Sequence, residues 1–279
     1  MNIAIPTTHY DLNSDNLNNL KINFPCIIKP AFQYKFIKRL KYKSVICYSQ
    51  SELLEYYTFF SSLIPKNEII IQEYIPLNDR VLCSTANFFI NTDEKIQFCV
   101  ERVRQFPINI GNFSTYVKTI YNKQLMELST KLLKYSNFIG LCEIEFIINK
   151  RNNELLLIEV NPRIWGWHYI SKVMDIKLLL SFYNLNYSIK CTYQTSLKES
   201  VWVYGLIDIK SKVSYYRKGL KIHNSNIKNR IDAVYDIHDL KPFFNDIYVS
   251  ILFLSKRIIY FLYASVIKYG KKIFITNPD

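Results

Sequence analysis

Two stretches, Cys142-Glu143-Ile144-Glu145-Phe146-Ile147-Ile148 and Leu155-Leu156-Leu157-Ile158-Glu159-Val160-Asn161, set acidic residues among strongly β-forming neighbours. Arg151-Asn152-Asn153 between them reads as a turn, so the two stretches form a hairpin. A turn centred on Asn152 sets Glu145 opposite Glu159 and Glu143 opposite Asn161. Opposite residues share a face, as do residues two apart on one strand. One face then carries three carboxylates and an amide, with Cβ atoms roughly 5 Å apart. Like charges directly opposite are destabilising, and an oxygen-only set of this kind suits Mg²⁺ or Mn²⁺ rather than zinc. The alternative is a solvated polar face, and a register off by one residue would separate Glu145 from Glu159.

Other chemistry-bearing residues flank this hairpin. Arg163 follows it directly and suits an anionic substrate or a transferring phosphoryl group, or else makes a surface salt bridge. Lys29 stands where a short apolar run, Phe24 to Ile28, exits toward Pro30, and it is either a phosphate ligand or a lysine snorkelling from a strand end. Trp165 and Trp167 beside Pro162 read as core rather than pocket, and His168 at a helix start reads as structural rather than as a general base. Neither a G-x-S-x-G elbow, nor a P-loop, nor a zinc-protease motif occurs.

The elements that must hold these residues follow from periodicity and turn signals. Residues 1–23 are polar and form a lead-in with a short helix. Strands are predicted at 24–30, 44–48 and 68–76. Between the last two, Ser49 caps a helix with Glu52 three residues on, and that helix runs to about Leu63 before Pro65. Strands at 80–90 and 95–103 turn at Asn91-Thr92-Asp93-Glu94, and a loop holds Arg104, Pro107 and Gly111. Asn122–Tyr135 is helical, the acidic hairpin follows, and a helix runs on to about Tyr187. Strands and helices mix with two hairpins, so the class is α+β with mostly antiparallel sheets.

Composition narrows the partners. The chain has 279 residues, 49% hydrophobic, with 6 Gly and 9 Pro, which excludes disordered, collagen-like and glycine-loop-rich architectures. Net charge is +13, which suits nucleic acid, an anionic membrane or a phosphate-bearing small molecule. No nucleic-acid-reading motif organises the basic residues, so nucleic acid is not expected. The six cysteines include no C-x-x-C, and their apolar surroundings read as small buried hydrophobes in a reducing compartment, with neither a disulfide framework nor a zinc site. The first residues show no secretory signal, which makes the cytoplasm the expected location. The longest apolar stretch, Ile247 to Ile267, is interrupted by Lys256 and Arg257, each costing roughly 2.5–3.5 kcal/mol at the centre of a spanning helix. A packed helix is expected there, with peripheral contact to the inner face of the membrane through residues 246–272 as the second reading. Residues 186–279 hold 15 Lys/Arg against 7 Asp/Glu.

Taken in order, these motifs resemble the ATP-grasp superfamily, and within it uncharacterised predicted carboxylate–amine ligases. Phe24 to Pro30 resembles the strand bearing the first phosphate-binding lysine, Lys43 the second lysine, and Ile71-Gln72-Glu73-Tyr74-Ile75-Pro76 the adenine-holding hinge. Glu145, Glu159 and Asn161 fit the metal-ligand pattern E-x-F … I-E-V-N-P-R. Arg102-Val103-Arg104-Gln105-Phe106-Pro107 and Asn161 to His168 also match, and the likeness covers about Ile3 to Tyr187, with Ala233 to Phe244 as a further stretch.

The resemblance implies an ATP-grasp fold of two α+β subdomains clasping ATP, at residues 1–72 and 73–187, followed by a basic helical extension at 188–279. It implies ATP and Mg²⁺ (or Mn²⁺) as cofactors. Lys29 and Lys43 would hold the α- and β-phosphates, the backbone of Gln72 and Ile75 would pair with adenine with Glu73 and Tyr74 at its edge, and Asp79 would take the ribose hydroxyls. Glu145, Glu159 and Asn161 would hold the metal, while Arg163, Arg102 and Arg104 would steady the γ-phosphate or a substrate carboxylate. The implied activity is ADP-forming ligation of small-molecule carboxylate and amine substrates through an acylphosphate. The family's preceding substrate domain is not seen before Lys29. The expectation is that a partner supplies that domain, that activity is reduced, or that the start of the chain has been lost, and the rival reading is a non-catalytic nucleotide-binding module. Residues 30–43 contain no glycine, and Leu77 stands where the hinge often has one.

Overall fold

The computed structural model describes residues 3–12, 14–32, 44–90, 95–109, 111, 113–184, 198–252 and 255. Two sheets carry the fold. The smaller holds β1 (Thr8–Tyr10), β2 (Cys26–Pro30), β3 (Val45–Cys47) and β4 (Ile69–Glu73) in the order β1-β4-β2-β3, all antiparallel. Helix α1 (Ser14–Asn18) and helix α2 (Gln50–Ser61) cover it. α2 starts where the sequence predicts, with the Ser49 hydroxyl accepting from the Glu52 amide at 3.3 Å while the Glu52 carboxylate accepts from the Tyr48 amide at 2.8 Å. Its Leu53, Tyr57 and Phe60, at helical spacing, bury against Cys26, Ile28, Cys47 and Ile71.

The larger sheet contains β5 (Arg80–Phe89), β6 (Lys95–Phe106), β7 (Phe113–Ile120), β8 (Gly140–Asn149), β9 (Glu154–Asn161), β10 (Val201–Val203) and β11 (Arg230–Asp232), ordered β11-β10-β7-β6-β5-β8-β9. Every pairing is antiparallel except β10 with β11. Helix α3 (Lys123–Tyr135), capped by the Asn122 side chain, packs Leu125 and Leu133 on one face against Cys99, Ile144 and Phe146. The other face lies under Trp165, Trp167, Ile170, Met174 and Leu178. Helices α4 (Ile170–Val173) and α5 (Leu178–Asn184) contribute to that cover, and both tryptophans are core residues. Each such buried aromatic contributes about 1.5–3 kcal/mol.

Three outcomes refine the sequence expectations. β6 runs on to Phe106, so Arg104 lies in a strand rather than a loop. Among the described residues beyond 188, α6 (Gly205–Arg217) and 241–252 are helical, and β10 and β11 join the larger sheet. The lead-in joins both sheets: the Ala4 carbonyl accepts from the Leu157 amide of β9 and the Thr7 carbonyl from the Glu73 amide of β4, each at 2.8 Å. Among the described residues no helix is long and apolar enough to cross a membrane. Of the 246–272 stretch only 246–252 and 255 are described, and there Tyr248, Val249, Ile251 and Leu252 are exposed.

Candidate active site

The acidic hairpin assembles as its residues demand. Glu143 pairs with Asn161 and Glu145 with Glu159 across β8 and β9. The route to that register differs from a simple turn at Asn152. Asn149 pairs with Glu154 and Phe146 with Leu157, so the turn spans four residues and a bulge at Ile158 restores the pairing of the two glutamates. Asn153 sits at φ 56° in the turn, and the Asn152 side chain accepts from the Glu154 amide at 3.1 Å.

Arg102 on β6 reaches across β5 to ion-pair with Glu145, its Nε held by Ser114 Oγ at 2.9 Å. The short side chain of Ser84, opposite Glu145 on β5, leaves room for that reach. Glu143 is buried and its Oε1 accepts from Trp167 Nε1 at 2.8 Å. Burial first, and the Glu145 charge second, push Glu143 up to about 7, against the pull of Arg102 and the indole. Asn161 is buried too: its Oδ1 accepts from Arg163 Nη2 at 3.2 Å, while its Nδ2 is left without a partner. Glu159 and Arg163 are exposed at the rim.

Among the described residues no three His, Cys, Asp or Glu side chains gather as a metal-holding group. The candidate set is therefore two carboxylates and an amide, Glu145, Glu159 and Asn161. In chemistry it fits a hard divalent cation: all donors are oxygens, and with Glu143 nearby the cluster carries more carboxylates than Arg102 compensates.

On the smaller sheet, Lys29 Nζ donates to Gln72 Oε1 at 3.0 Å, and Gln72 Nε2 donates to Thr8 Oγ1 at 2.8 Å. Gln72 lies between β1 and β2, so its backbone belongs to the sheet ladder and its side chain is what it offers Lys29. Lys43 lies outside the described residues. Glu73, the last residue of β4, is half-buried; beyond it Ile75 is buried and the Tyr74 hydroxyl donates to the Asn109 carbonyl at 3.0 Å. Asp79 is tied to the β8–β9 turn, one oxygen accepting from Arg151 Nη2 at 2.5 Å.

Arg104 is a correction. A bulge at Val103 breaks the alternation, with Arg102 opposite Val117 and Arg104 opposite Tyr116. Arg104 consequently lies 4.2 Å over the Tyr116 ring and donates from Nε and Nη2 to the two oxygens of Asp208 on α6, both at 2.8 Å. It is 1% exposed and its Nη1 is held by the His223 carbonyl, so it is a buried tie and not a substrate ligand. Sequence reading missed Arg80, which begins β5, donates to the Ile75 and Asn109 carbonyls at 2.8 and 3.2 Å and lies 5.0 Å over the Tyr74 ring. Its signal was a lone arginine directly after the hinge.

Against this geometry the comparisons are consistent. Residues 114–179 match the protein-family model for the carbamoyl-phosphate synthase L chain, ATP binding domain. The chain is 27% identical over 210 residues to a D-alanine–D-alanine ligase of Wolbachia pipientis wMel, covering 71% of this chain and 62% of the ligase. It thus spans less than two thirds of that relative. The fold resembles a biotin carboxylase–β,γ-ATP complex from Campylobacter jejuni, with TM-score 0.56 at 14% identity over 71% of this chain and 46% of that one. It also resembles N5-carboxyaminoimidazole ribonucleotide synthetase from Thermus thermophilus, with TM-score 0.52 at 15% identity over 71% of this chain and 52% of that one. The architecture is the ATP-grasp fold, two α+β sheets with a carboxylate-bearing hairpin in the larger. In fold and in these stretches of sequence the chain is similar to ATP-grasp proteins.

Proposed function

We propose that the protein is an ATP-dependent, ADP-forming ligase that joins a small-molecule carboxylate to an amine or related nucleophile. The observation that carries this reading is the register of the hairpin, which sets Glu145 against Glu159 and Glu143 against Asn161 at the end nearest Arg163. In the proposed reaction a carboxylate oxygen attacks the γ-phosphorus of ATP, the bond to the bridging oxygen breaks and ADP leaves. The amine nitrogen then attacks the acyl carbon of the acylphosphate, and phosphate departs. The protein's part is positioning and charge neutralisation. Lys29, steadied by Gln72, supplies a cation to the phosphates from the smaller sheet, with Lys43 in the same role. The hinge from Glu73 to Ile75 borders the base, and Asp79 borders the ribose. Arg163 holds the Asn161 amide oxygen and presents an exposed guanidinium to an anion, while Arg102 orients Glu145. A Mg²⁺ or Mn²⁺ ion on Glu145, Glu159 and Asn161 would neutralise charge on the phosphates.

A second reading, a nucleotide-binding module without turnover, is favoured by Glu145 and Asp79 each being occupied by an arginine. ADP release measured over a panel of carboxylates and amines, with and without Mg²⁺, separates the two. Turnover that requires Mg²⁺ supports the ligase, whereas ATP binding with no ADP released supports the module. Glu159→Gln is expected to lower Mg²⁺-dependent turnover at least ~100-fold, in the range set by loss of a charge-stabilising group. Unchanged turnover would remove the metal assignment.

A further inference from the structure

Cys26 and Cys47 stand directly opposite each other on β2 and β3, and both side chains are fully buried in the same core. Opposite residues of an antiparallel pair share a face, with Cα atoms about 4.5–5.5 Å apart, within the span a disulfide requires. The other described cysteines lack such a partner: Cys83 faces Glu101 and Phe146, Cys99 faces Thr85 and Ile120, and Cys142 faces Asn87. The facing Cys47 holds the Cys26 thiol below the ordinary value, while Cys26 and burial together hold Cys47 far above it. Cys83, Cys99 and Cys142 are all pushed up by burial. β3 is three residues long and, among the described residues, forms the edge of its sheet, so local opening there exposes the pair at less cost than opening the core.

We propose that Cys26 and Cys47 form an oxidisable dithiol, closed by a small hydroperoxide into a cross-strand disulfide that staples β2 to β3. The Cys26 thiolate attacks an oxygen of hydrogen peroxide and the O–O bond breaks. The departing hydroxide takes a proton to become water, and Cys26 becomes a sulfenic acid. Cys47 then attacks the Cys26 sulfur, the S–O bond breaks, and the thiol proton leaves with the hydroxyl as a second water. Two thiols are oxidised by two electrons and one peroxide is reduced to two waters. The bond would close the segment that begins three residues before Lys29 and ends four residues after Lys43. An effect on nucleotide affinity rests on the proposed function, whereas formation of the bond does not.

The test uses the full chain, reduced, freed of reductant and treated with hydrogen peroxide. It is then alkylated with iodoacetamide in denaturant and digested without reduction. The expected product is a linked peptide pair containing Cys26 and Cys47, lighter by two hydrogens than the two thiol peptides and lost on dithiothreitol treatment. Cys47→Ala is expected to abolish the pair and to leave a Cys26 sulfenic acid that dimedone traps, whereas Cys83→Ala is expected to leave the pair intact. Recovery of Cys26 and Cys47 as fully alkylated thiols after peroxide overturns the proposal. So does a scatter of linkages that favours other cysteines equally. Should Cys47→Ala fail to fold, the wild-type peptide map alone decides.

Discussion

Arg102 and Arg104 are two residues apart, and a regular strand would put both on one face. The bulge at Val103 sends one to Glu145 and the other to Asp208. This division was not legible in the sequence, because a bulge is written in the pairing of two strands and not in either strand alone. The burial of Arg104 is compensated: Asp208 receives it with both oxygens, and Thr115 and Lys212 fill out the carboxylate at 3.0 and 3.2 Å. Asp208→Ala would leave Arg104 charged and unpaired in the interior. The expected loss is about 3–5 kcal/mol of unfolding free energy, read from urea denaturation. If the loss is below about 1 kcal/mol, as for an exposed pair, Arg104 is better hydrated than its burial indicates.

At the scale of elements, the hairpin was readable because its residues carry two independent signals, β-propensity and misplaced charge. Glu145 does face Glu159, and Glu143 does face Asn161. The turn beneath them was readable only in part, since the Ile158 bulge offsets a wider loop. Ile158 therefore sets which glutamate meets which. Inserting one alanine between Ile158 and Glu159 would slide Glu159 and Asn161 one residue along β9, turning both to the opposite face of the sheet. The expected outcome is a folded protein whose Mg²⁺-dependent nucleotide affinity falls at least tenfold, measured by titration calorimetry. Unaltered affinity would mean that the opposed glutamates are not the metal site. The Ser49 cap of α2 was legible for a simpler reason: the signal is local, complete within four residues, and independent of tertiary context.

For the molecule as a whole, the mixed α+β character with mostly antiparallel sheets was legible from the periodicities and hairpins, while the contribution of the C-terminal third to the larger sheet was not. Three-residue strands such as β10 leave almost no periodic signal, yet β10 completes the edge beside β7 and places Trp202 in the larger core. A chain ended at residue 187 would uncover the β7 edge, remove Trp202, and strand Arg104 without Asp208. The expected result is aggregation, read by size-exclusion chromatography, whereas a chain ended at 252 should elute as folded protein. The net +13 also divides: Arg102 and Arg104 are neutralised by Glu145 and Asp208, so the proposed phosphate contacts from described residues fall to Lys29, beside Gln72, and to the exposed Arg163.

The lead-in bonded to both sheets has a consequence for motion. A fold that closes around a ligand must let its halves separate, and here one thread is stitched to each half, at Leu157 through Ala4 and at Glu73 through Thr7. Any parting of the halves must strain or release one stitch, so the thread is a built-in gauge of aperture. Hydrogen exchange at the Leu157 amide should slow when nucleotide holds the halves together, relative to amides in the middle of β5. A Leu157 amide whose exchange is indifferent to nucleotide would show that the halves close without loading the thread.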